Sequence, residues 1–82
     1  MNNSFYNDFA ARFAAGTLTS LVETFNNQVG KRGFNSARAA YDQALIDEFV
    51  RRGIDVSAVF DGTTISFAHY VELDNKSLVI KK

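Results

Sequence analysis

The period of the apolar residues changes at Gly53. Before Gly53 they recur every three to four positions, as on one face of a helix. After it they alternate, and an Asp61-Gly62 pair interrupts the alternation. A chain with that change cannot be a helical bundle throughout, nor a sheet throughout. It calls for helices first and strands second, in an α+β domain. With 82 residues there is room for one such domain, residues 1–82. A chain of this size buries only about 60–65% of the surface it exposes when unfolded, so its core is thin. The apolar content, 46% of residues with eight phenylalanines, compensates and excludes a disordered tail.

Ser4 suits the cap of a first helix running to Ala15, with Phe5, Phe9 and Phe13 in one stripe. Gly16 suits its stop. Thr17 or Thr19 starts a second helix carrying Leu18, Leu21, Val22, Phe25 and Val29, and Gly30 ends it. Residues 30–35 read as a loop in which Phe34 tucks inward. Asn35 or Ser36 caps a third helix that closes at Gly53. Its inner face is Ala37, Ala40, Tyr41, Ala44, Leu45 and Phe49, widened by Ile46 and Val50. The small alanines leave a groove for the phenylalanine ridge of the first helix. Three ion pairs are expected at the i,i+4 spacing: Arg38 with Asp42, Asp47 with Arg51, and Glu48 with Arg52. Those carboxylates read as a solvated face, and Arg51 and Arg52 as favouring the negative end of their own helix.

Beyond Gly53 the pattern predicts a three-stranded antiparallel β-meander following the three N-terminal helices. Its strands are Val56 to Phe60, Thr63 to Leu73 and Ser77 to Lys81. Asp61-Gly62 is a favoured two-residue hairpin turn, and Asp74-Asn75-Lys76 is the second turn. Alternation puts Ile65, Phe67, His69, Val71 and Leu73 on the inner face.

The chain holds little that looks like chemistry. Cysteine is absent and His69 is the single histidine, so the usual zinc ligand sets cannot be assembled. His69 reads as a half-buried strand residue bonded to a neighbour. Asp61, Asp74 and Lys76 resemble a nuclease pattern in composition, but two turns at opposite ends of a strand ~35 Å long cannot share a cation. Gly30-Lys31-Arg32-Gly33 lacks the spacing of a phosphate-binding loop. No catalytic residue, metal site or cofactor is therefore assigned, and an enzyme is not expected.

Nine basic and nine acidic side chains cancel, so the total charge points neither to nucleic acid nor to a mimic of it. The polar start, Met1 to Asp8, is not a signal peptide. No apolar run approaches the ~18 residues a membrane span needs. A cytoplasmic location is expected. What remains is a small protein-interaction module, an accessory or inhibitory factor of bacterial or phage type. Its partner is another protein or a second copy of the chain. The expected contact residues are the aromatics Tyr6 and Tyr70 and the loop residues Lys31, Arg32 and Phe34. The alternative is a winged-helix-like nucleic-acid-binding domain. There Ser36, Arg38, Asp42 and Gln43 face bases, and Lys31, Arg32 and Arg38 meet phosphates.

Overall fold

A computed structural model describes residues 4–31 and 36–81. Its elements are α1 (Ser4–Ala15), α2 (Leu18–Gln28), α3 (Ser36–Arg51), β1 (Val71–Asp74) and β2 (Ser77–Ile80). The α+β class holds, with three helices preceding an antiparallel sheet. The sheet has two strands, not the three of the expected meander.

Each helix boundary has a local cause. Thr17 caps α2: its side-chain oxygen accepts a hydrogen bond from the Ser20 amide at 3.1 Å. Gly16, just before it, sits in a tight spot. A side chain there would meet Ser20 Oγ at 3.0 Å. At the end of α3 the Ile54 amide bonds back to Phe49 O and the Gly53 amide to Val50 O, both at 2.9 Å. This is the Schellman arrangement, and Gly53 supplies its left-handed backbone with φ +79°. Ile54 is buried in the same cluster as Phe49, so the cap also turns the chain back into the core.

The core is centred on α3. Ala44, Leu45, Ile46 and Phe49 are buried, together with Phe13 of α1 and Leu21 and Phe25 of α2. Contact with α1 is the most extensive between helices. The rings of Phe9 and Phe13 both meet Tyr41 edge-on, at 4.9 and 5.1 Å between centroids. The expected ridge of α1 therefore docks on an aromatic side chain. Val50, placed on the inner face by periodicity, is instead exposed.

The long second strand does not form, and β1 begins only at Val71. An antiparallel strand presents alternate amide and carbonyl groups outward. At Val71 both outward groups are taken by one side chain: Asn26 Nδ2 donates to Val71 O at 3.0 Å, and the Val71 amide donates to Asn26 Oδ1 at 2.8 Å. The carboxamide of α2 thus occupies the place of a neighbouring strand. Upstream of Val71 the chain bends at residues 68–69, so His69 is exposed and lies in no strand. Leu73, on the predicted inner face, is also exposed.

The segment from Val56 to Phe60 is a tight turn rather than a strand. The Val59 and Phe60 amides both bond to Val56 O. A three-residue spacing buries Val56 and Val59 together, which alternation cannot do. Just upstream, Asp55 pairs with Ser77 in parallel, so residue 55 flanks β2. Asp61-Gly62 is not a two-residue hairpin turn. Residues 61–64 form a wider loop closed by the Phe60–Ile65 bridge. Asp61 Oδ1 accepts hydrogen bonds from the Thr63 and Thr64 amides at 2.9 and 2.7 Å. The second turn forms as expected: Asp74 pairs with Ser77, and Asn75 takes the positive φ such turns require.

Candidate functional site

Helix α3 carries two carboxylates that its amphipathic pattern would leave in water, yet both are buried. Asp42 is 2% exposed and Glu48 5%. The central position of α3, covered on several sides, explains why the expected solvated face is absent. Their environments differ.

Glu48 is saturated. It accepts from Arg51 Nε at 3.0 Å, Arg51 Nη2 at 2.5 Å and Arg52 Nε at 2.6 Å. The two guanidinium groups, Arg51 first, hold its carboxyl below the usual range despite burial. Arg52 then reaches across to α1. Its Nη2 donates to Phe13 O at 2.9 Å, Ala14 O at 3.3 Å and Gly16 O at 2.7 Å. These carbonyls lie in the last turn of α1 and just beyond it, where a helix runs out of its own donors; Phe13 O also accepts the Gly16 amide at 3.1 Å. Arg52 therefore caps α1, not its own helix. The expected Asp47–Arg51 pair does not form. Asp47 instead accepts from the Tyr6 hydroxyl and from Gln43 Nε2. The hydrogen bond to Asp47, with burial second, pushes the Tyr6 hydroxyl up to about 12.

Asp42 is not saturated. Arg38 Nε lies 3.4 Å from its Oδ2, an ion-pair contact without the alignment of a hydrogen bond. Neither carboxylate oxygen accepts a hydrogen bond. Burial raises the Asp42 carboxyl above the usual range, and Arg38 offsets this only in part. The Arg38 guanidinium also reaches Lys31 O and Gln28 O, each at 3.4 Å, at the end of α2. It stands 5.8 Å from the centre of the Phe67 ring, which also packs against Phe25 at 4.6 Å between centroids.

A cleft of about 480 Å³ opens beside this pair. Ala39, Asp42 and Gln43 of α3 form one wall, with Arg38 next to them. Thr63, Thr64, Ile65 and Phe67 form the other, and Lys31 stands at the rim. The Asx-type loop at Asp61 fixes the two threonines, because their backbone amides are already bonded. The cleft is thus part apolar and part polar, with a buried acceptor in its wall.

Of the five residues expected to contact a partner, Tyr6, Lys31 and Tyr70 are described, and these three do not line one cleft. Lys31 is exposed and lines the cleft. Arg32 and Phe34 lie outside the described residues. Tyr6 is half-buried and tied to Asp47, so it is not the open aromatic that was expected. Tyr70 is 56% exposed. Of Ser36, Arg38, Asp42 and Gln43, grouped by helical spacing, the last three line the cleft. The opposite wall had no such signal. Thr63, Thr64 and Phe67 reach it through the loop that replaced the predicted strand.

Among the described residues no group of three or more His, Cys, Asp or Glu side chains is placed to hold a metal ion. No helix among them is long and apolar enough to cross a membrane. The chain matches no protein-family model, no curated protein and no solved structure.

Proposed function

We propose that this protein is a small non-enzymatic interaction module, an accessory or inhibitory factor that acts by binding another protein or a second copy of itself in the cytoplasm. The observation that carries this reading is Tyr70. It is a large aromatic side chain, more than half exposed, at the entrance to β1. Its backbone is fixed, because Tyr70 O accepts the Lys81 amide at 2.8 Å. A held aromatic offers contact area at small entropic cost, which is why such residues are enriched at interfaces. Leu73, also exposed, adds apolar surface on β1, and Lys31 adds charge at the cleft. The winged-helix alternative has less to draw on. It needs the face of α3 around Arg38 and Asp42 open to a groove, whereas Asp42 is buried and Arg38 is turned toward α2.

The test is affinity capture from nuclease-treated host lysate, with native mass measured on the eluate. A protein retained by the wild type and lost with Tyr70→Ala, at a melting temperature little changed, supports the module. Recovery of nucleic acid alone, abolished by nuclease, overturns it.

A further inference from the structure

The contrast between Glu48 and Asp42 has a chemical implication. Each is a buried carboxylate on α3 with an arginine four positions away. Glu48 is completed by a second guanidinium, that of Arg51. Among the described residues Asp42 has no second donor, and both of its oxygens, shielded from solvent in the wall of the cleft, accept no hydrogen bond. An ionised buried acceptor left in that state is costly, and a donor that reaches it recovers much of the penalty.

We propose that the cleft takes the guanidinium of an arginine side chain from a partner protein, with Asp42 as its acceptor; this rests on the protein-interaction reading above. The planar fork of a guanidinium matches a carboxylate, and it gives up water more readily than an ammonium does. Ala39, Ile65 and Phe67 offer apolar surface to the methylene stem of the incoming arginine. Gln43, Thr63 and Thr64 line the rest of the cleft, where the remaining N–H groups of the fork need acceptors. Among the described residues, the charged groups at the cleft beside Asp42 are Arg38 on its own helix and Lys31, three residues past the end of α2. Lys31 is exposed, so its head can swing into water as the cation enters.

The probe is N-acetyl-arginine methylamide, titrated into the full chain and followed by amide chemical shifts. The citrulline analogue, which has the same shape without the charge, is the control. Saturable shifts are expected at Ala39, Gln43, Thr64 and Phe67. Binding should weaken at least about tenfold with citrulline or in Asp42→Asn, the loss of one charge-assisted hydrogen bond or more. Lys31→Ala should tighten it. If Asp42→Asn fails to fold, Thr64→Trp at the exposed rim should block the cleft and give the same loss. Absence of saturable shifts, equal binding of citrulline, or unchanged binding in both variants overturns the proposal. So does saturation by acetate that weakens in Lys31→Ala, which would make the cleft an anion site. A chain that ignores the probe yet still captures a Tyr70-dependent protein sinks this inference alone. A chain that binds the probe but captures no protein keeps the arginine site and sinks the interaction reading.

Discussion

The two ends of α3 present one motif in two states. At the C-terminal end, Glu48 holds Arg52 while Arg52 caps α1. Toward the N-terminal end, Asp42 lies beside Arg38, which donates to Gln28 O, the last carbonyl of α2, and to Lys31 O beyond it. In both cases an arginine of α3 serves the end of another helix, and a carboxylate one turn away steadies it. The difference lies in the hydrogen bonds. Those around Glu48 are short and complete. Those from Arg38 to Lys31 and Gln28 are 3.4 Å long, and Asp42 accepts none. A buried pair contributes to stability only when its geometry is good. The first end is therefore a structural clasp, and the second is a place where burial opposes the native state and leaves an acceptor for something else.

The largest test of this contrast is Glu48→Ala. It leaves the Arg52 guanidinium without its carboxylate and loosens the cap on α1. A loss of about 3 kcal/mol is expected in denaturant unfolding. A loss below about 1 kcal/mol would mean that the clasp adds no more than a surface pair does. Next is Arg52→Met, which keeps the apolar stem and removes the donors to Phe13, Ala14 and Gly16. A loss of about 2 kcal/mol is expected. Amide exchange should quicken in α1 more than in α2. Uniform quickening would place the effect elsewhere.

The smallest expected effect has the opposite sign. Asp42 binds its proton more tightly in the folded chain than in the unfolded one, because burial raises its carboxyl. Its ionised form therefore costs stability at neutral pH, and that cost fades as pH falls through the raised folded value. Asp42→Asn should match or exceed the wild type by up to about 1 kcal/mol at pH 7, and the gain should vanish in acid. Glu48 behaves in reverse. Its carboxyl is held low, so the stability it contributes is present above its ordinary value and is lost as pH falls through the folded one. An Asp42→Asn chain that is less stable than the wild type at pH 7 would erase the distinction between the two ends.

The helices were legible in the sequence because their signals are local. Thr17 and Gly53 act within a few residues, and the stripe Phe5, Phe9, Phe13 repeats at the helical period. Arg38–Asp42 and Glu48–Arg52 were legible as pairs for the same reason. Their burial was not, since it depends on how α1 and α2 cover α3. The role of Arg52 on α1 depends on carbonyls more than thirty-five positions away in the chain, and its local context gives no sign of them. The sheet departs from the alternating pattern where residues 56–60 turn and the chain bends at residues 68–69. The alternation from Ile65 to Leu73 is real, but Asn26 occupies the edge at Val71 and the chain bends before it. Val56 and Val59 show how two branched residues at a three-residue spacing fit a turn as well as a strand would fit its alternating neighbours. Of the site, one wall followed from helical spacing. The other could not, because it stands on a loop where a strand was expected.

The amide of Asn26 has a further consequence for association. A two-stranded hairpin ordinarily offers two bare edges, each a template on which another chain can add a strand and on which aggregates grow. Here Asn26 fills one edge at Val71, and Asp55 fills the other through the Leu78 amide. By the alternation of the pair, the outward groups left among the described residues are those of Leu73 and Ile80 and the carbonyl of Leu78. Each edge is thus interrupted, and an added strand finds only isolated groups to pair with in place of a continuous ladder. A partner that meets the sheet edge draws more on side chains than on backbone.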